Sequence, residues 1–128
     1  HANYMPSRGF GTRAFYGQWD LDCPPVLTDA NQCAENGRNH QWGWYAEGSY
    51  RWDVTETQSL GVMFRRQEWD DKAGTKNATT TKNNITMSTF GVNWWLTDQA
   101  VLKADWERKK TFGSTAVQGF NMGMGYNF

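Results

Sequence analysis

From Gln118 onward the even positions read Gln118, Phe120, Met122, Met124, Tyr126 and Phe128, and the odd positions Gly119, Asn121, Gly123, Gly125 and Asn127. Strict period-2 alternation predicts a strand with one apolar face. The pattern recurs between 40 and 54, where Trp42, Trp44, Ala46, Gly48, Tyr50, Trp52 and Val54 alternate with Gln41, Gly43, Tyr45, Glu47, Ser49, Arg51 and Asp53, so every charge there falls on one side. Leu60, Val62 and Phe64, then Phe90, Val92, Trp94 and Leu96, then Leu102, Ala104 and Trp106 continue it. Between 9 and 19, Phe10, Thr12, Ala14 and Tyr16 oppose Gly11, Arg13, Phe15 and Gly17, and the charge of Arg13 assigns the odd side to water. About six antiparallel strands are predicted, over 9–19, 40–54, 59–69, 84–96, 100–109 and 115–128. Ile85 and Met87 lie on the wrong parity, which implies a bulge or a change of environment near the preceding loop. Residues 1–8 carry no period and read as a tail or as the end of a preceding strand.

The connections alternate in length: long over 20–39 and 70–83, short over 55–58 and 97–99, intermediate over 110–114. No run approaches the roughly 18 to 20 apolar residues of a membrane-spanning helix, and mean hydropathy is low. A barrel is compatible with such averages, because its strands alternate lipid-facing and lumen-facing residues. Aromatic residues at 16%, eight of them Trp, with 13 Gly suit a pleated sheet with interfacial girdles better than a helical core. The fold expected is therefore an all-β, antiparallel transmembrane barrel wall in a single segment. Long loops belong outside and short turns on the periplasmic side, so 20–39, 70–83 and 110–114 are expected to be extracellular. Lysines and arginines balance acids at 13 each, which gives no field for nucleic acid.

The charges on the water-facing parity are Arg13, Glu47, Arg51, Asp53, Arg65, Lys103, Asp105, Glu107 and Lys109. They make either a pore lining that sets ion preference or a cross-strand ladder that keeps polar residues satisfied. Tyr45 and Trp95 share that parity and are the candidates for solute contact. Trp52, Trp94, Tyr126 and Phe128, and above them Trp42, Trp44, Phe64, Trp106 and Phe120, read as aromatic girdles, with a sugar-binding slide as the alternative. Cys23 and Cys33, in a turn-rich stretch, predict a loop disulfide in an oxidising compartment; a zinc site would want more ligands than His40 supplies. Asp70 and Asp71 read as solvated loop charge, with a catalytic acid pair or a calcium site as alternatives. No nucleophile motif or phosphate loop occurs, so neither an enzyme nor a cofactor is expected.

The ending Asn121-Met-Gly123-Met-Gly-Tyr126-Asn-Phe128 resembles the β-signal of Gram-negative outer-membrane proteins, with Asn121, Gly123, Tyr126 and Phe128 matching its pattern. Residues 90–105 are similar to the penultimate hairpin of phosphate-selective and related general porins. The resemblance covers about residues 40–128. It implies residence in the bacterial outer membrane, recognition by the barrel assembly machinery, contact with outer-membrane lipid, and a homotrimer among the assemblies open to it. Such porins have around 16 strands and about 8 is the smallest closed number, whereas open edges are not tolerated in hydrocarbon. The chain is thus expected to be the C-terminal part of a longer porin, a cleaved piece seated in its barrel, or a subunit closing a barrel with other chains. The function implied is passive diffusion of small hydrophilic or ionic solutes. A barrel with a filled lumen that docks a partner is the second expectation, and a soluble carbohydrate-binding β domain the third.

Overall fold

The computed structural model describes residues 1–6, 8–21, 39–74 and 84–126. They form one antiparallel sheet whose strands neighbour one another in chain order: β1 (Ala2–Tyr4), β2 (Gly9–Asp20), β3 (His40–Asp53), β4 (Ser59–Asp70), β5 (Asn84–Trp95), β6 (Ala100–Thr111) and β7 (Val117–Tyr126). The sheet is open, because β1 and β7 do not pair with each other. The pattern alone predicts six strands; the seventh is β1, whose three residues are too few to show a period. It pairs with β2 through Ala2 to Ala14 and Tyr4 to Thr12, so of the two readings of the N-terminal stretch the preceding strand is the one observed.

Two boundaries near the C-terminus need correction. Lys110 and Thr111 belong to β6 rather than to a connection over 110–114, and β7 starts at Val117, not 115. The cause is pairing with β5: the Phe112 N–H donates to the Asn84 carbonyl at 2.8 Å, which holds β6 in the ladder to its end. The turn is then confined to Phe112–Ser114. Gly113 supplies its left-handed residue at φ 74°, and the Ser114 N–H closes it on the Thr111 carbonyl at 3.0 Å. The turns after β3 and β5 are tied by threonines. Thr55 Oγ1 accepts from the Gln58 N–H at 3.1 Å, and Thr97 Oγ1 accepts from the N–H groups of Gln99 and Ala100, a local bond that Thr offers a turn.

Each ladder from β2 to β7 runs one to one over its paired length, with no extra residue on either strand. Residues of like parity therefore share a face across the sheet. On the even face, three successive rows are apolar or nearly so. They are Trp52, Leu60, Trp94, Leu102 and Met124; then Phe10, Tyr50, Val62, Val92, Ala104 and Met122; then Thr12, Gly48, Phe64, Phe90, Trp106 and Phe120. No hydrophobic side chain among the described residues is buried, and Met122 and Met124 are 78% and 81% exposed. There is no core inside this sheet; its apolar face lies open.

Toward the long-loop end the polarity inverts. The next even row is Ala14, Ala46, Arg66, Ser88, Arg108 and Gln118, and the one beyond holds Tyr16, Trp44, Glu68, Thr86 and Lys110. At the same level the odd face carries Phe15, Tyr45, Trp69, Ile85 and Met87. Ile85 and Met87 thus sit on the odd face without the bulge that was one of the two causes expected for their parity.

Odd-face glycines make room for large neighbours. A Cβ on Gly61 would stand 2.8 Å from the Trp95 ring, and one on Gly91 3.0 Å from Met63 Cγ. Gly61→Ala is expected to cost about 1 to 3 kcal/mol by overpacking and to shift Trp95 fluorescence. An unchanged denaturation midpoint would mean that the indole swings away freely.

Candidate functional site

Glu47 is the centre of the odd face. It lies on β3 between Arg13 of β2 and Arg65 of β4, each its direct cross-strand partner, and is 7% exposed. Arg65 holds it with two bonds to Oε2, from Nε at 2.8 Å and Nη2 at 2.5 Å. Arg13 Nε stands 4.0 Å from Oε1 and makes no hydrogen bond, so the first arginine contributes charge and the second geometry. Two rows nearer the short turns, Arg51 lies over the Trp95 ring at 3.9 Å and donates through Nε to Ser59 Oγ at 2.9 Å. A guanidinium on an indole face is held by ring quadrupole and stacking together.

These groups line one concavity of about 390 Å³ that spans β2 to β6 and collects Arg13, Glu47, Arg51, Arg65, Trp95 and Lys103. The other expected lining residues stand around it. Tyr45 stacks on Phe15 with centroids 5.9 Å apart and underlies Arg65 at 5.3 Å. Asp53 pairs with Arg8 at 3.1 Å. Asp105 accepts from Asn121 Nδ2 at 2.9 Å, Glu107 lies where a side chain on Gly119 would be, and Lys109 Nζ stands 5.9 Å from the centre of the Trp69 ring. Cations and acids are mixed across this face: β2 to β4 carry Arg13, Arg51 and Arg65 with Glu47 and Asp53, and β6 carries Lys103 and Lys109 with Asp105 and Glu107.

The C-terminal motif divides between faces. Asn121 and Gly123 are on the odd side, Gly123 opposite Lys103 with nothing within 4 Å of its Cβ position. Tyr126 is on the even side opposite Ala100; Phe128 lies outside the described residues, as do Cys23 and Cys33. Of the girdle residues, Phe64, Trp106 and Phe120 fall into one row, which Phe90 completes, and Trp52 and Trp94 into another nearer the short turns.

Asp70 departs from the solvated loop charge expected of it: it ends β4, is 3% exposed, and its Oδ1 accepts the Lys72 N–H at 2.8 Å, so it caps the strand end. His40 Nδ1 lies 2.5 Å from Asp20 Oδ1 across the β2 to β3 ladder. Among the described residues no three His, Cys, Asp or Glu side chains converge as a metal site would require.

Sequence reasoning missed the even-face cluster of Arg66, Thr86, Ser88, Arg108 and Lys110, which the fold gathers into one pocket. The signal that could have found it is a shared break of even parity at equal distance from the hairpin turns. Comparison of the chain with protein-family models, with curated proteins and with solved structures returned no match.

Proposed function

We propose that this sheet is part of the wall of a bacterial outer-membrane β-barrel, whose odd face lines a channel for passive diffusion of small hydrophilic or ionic solutes. The carrying observation is the partition of the two faces in register: three apolar rows with no core behind them on one side, an ion-paired concavity on the other. In water the even face would leave its whole apolar area unburied, and such area is what drives folding. Against acyl chains it is solvated, while the odd face keeps its water.

The strands have 12 residues in β2, β4, β5 and β6 and 14 in β3, longer than the roughly 9 to 11 that cross hydrocarbon. The apolar rows then lie within the membrane band, and the inverted rows run from its outer limit to the strand ends that project beyond it. The free edges of β1 and β7 require further strands, from the same polypeptide or from other chains, because unpaired edges are not tolerated in lipid. The C-terminal motif, read as an assembly signal, supplies the contact with the barrel assembly machinery.

Planar-bilayer recording of the purified native barrel tests the channel. Discrete conductance steps are expected. Stable insertion with a silent bilayer would overturn the open channel in favour of the filled lumen, a reading to which the uncrowded Gly123 on the odd face lends space.

A further inference from the structure

We propose that the outward pocket of Arg66, Thr86, Ser88, Arg108 and Lys110 holds the phosphate groups of a lipid headgroup in the outer leaflet; this rests on the membrane-barrel assignment above. The pocket encloses about 350 Å³ and is lined by these five polar residues alone. Arg66, Ser88 and Arg108 are consecutive partners across β4, β5 and β6, and Thr86 and Lys110 are partners in the next row outward. The two arginines are therefore two strand spacings apart, about 10 Å. That gap admits a phosphate with a guanidinium on each side and a hydroxyl floor between them, the geometry in which arginine binds it best.

Two features point to a lipid. The first is height. The row directly beneath Arg66, Ser88 and Arg108 is the aromatic row of Phe64, Phe90 and Trp106; Arg66 and Arg108 are the eighth and ninth residues of their strands counted from the short turns, near the outer end of the roughly 9 to 11 that cross hydrocarbon, from where long basic side chains reach the headgroup level. The second is uncompensated charge. Arg66 Nη1 donates to Ser88 Oγ at 2.6 Å, and among the described residues neither Arg108 nor Lys110 has an acidic partner. Among the described residues the carboxylate nearest in register on this face, Glu68 in the row of Thr86 and Lys110, accepts from Asn84 Nδ2 at 2.6 Å and does not line the pocket. Three cations beside the apolar band without a carboxylate in their pocket are complementary to an anionic headgroup.

The test reconstitutes the native barrel in phosphatidylcholine vesicles containing either diphosphoryl lipid A or its dephosphorylated form. Retained lipid is then measured by native mass spectrometry, and insertion by heat-modifiable gel migration. The wild type is expected to retain the phosphorylated lipid, and R66Q/R108Q/K110Q to retain it about tenfold less or weaker still. R108Q/K110Q removes no hydrogen bond within the sheet and should show the same direction with normal insertion. Equal retention of the two lipids, or retention unchanged in both variants, overturns the headgroup site while leaving the barrel standing. Full displacement by an equal concentration of inorganic phosphate would make it a free-anion site and overturn the lipid. Failure of the wild type to insert overturns the membrane assignment itself, and the headgroup site with it.

Discussion

Val92→Arg is expected to destabilise the vesicle-inserted barrel by about 2 to 4 kcal/mol, the cost of an Arg near the bilayer midplane. Val92 lies in the middle of the three apolar rows, between Val62 of β4 and Ala104 of β6. No acid stands opposite it to accept the charge. Thr89→Arg is the matched control: three residues away on the odd face, it lies between Arg65 and Glu107, one like and one opposite charge, and should cost under about 1 kcal/mol. The measurement is the denaturant midpoint of folding into phosphatidylcholine vesicles for the two variants. If both are tolerated equally, or if the wild type is a freely soluble monomer, the even face does not meet lipid. A soluble carbohydrate-binding sheet would then regain its claim through the exposed tryptophans.

That face was readable from the chain because a period of two needs no knowledge of neighbours. Phe120, Met122 and Met124 announce it within one strand, and Trp42 to Val54 within another. Strand order was equally legible, since hairpin turns as short as 55–58 and 97–99 leave antiparallel neighbours as the natural solution. What the pattern could not carry was anything that depends on register between strands. Arg66 and Arg108 look like isolated lapses in their own strands and become a pair only when Ser88 is set between them. Ile85 and Met87 look like a slip, and become half of a polarity inversion when Trp69 and Phe15 are placed at their level. β1 was out of reach for another reason, since three residues give no period and its membership in the sheet is decided wholly by pairing with Thr12 to Ala14. The odd-parity residues share one face of the sheet, but which of them share a concavity followed from the fold alone.

If the odd face lines a channel as proposed, that wall should prove most sensitive at Glu47. Glu47→Gln keeps the shape and removes the charge, leaving Arg13 and Arg65 two strands apart with no carboxylate between them. The lost bonds are charge-assisted, so the variant is expected to lose about 2 kcal/mol of stability, discounted from the value for a wholly buried pair because both arginines are about a third exposed. The same change leaves the concavity lined by Arg13, Arg51, Arg65 and Lys103 with no acid among them. Reversal potentials under a salt gradient should therefore move toward anion preference, and the shift should shrink as ionic strength rises and screening shortens the reach of each charge. Stability and selectivity separate the two readings of this ladder. A variant that is less stable but keeps the wild-type reversal potential would place Glu47 in a structural brace away from the permeation path. A variant that shifts in both makes the ion-paired row around Glu47 the selectivity-bearing part of the wall.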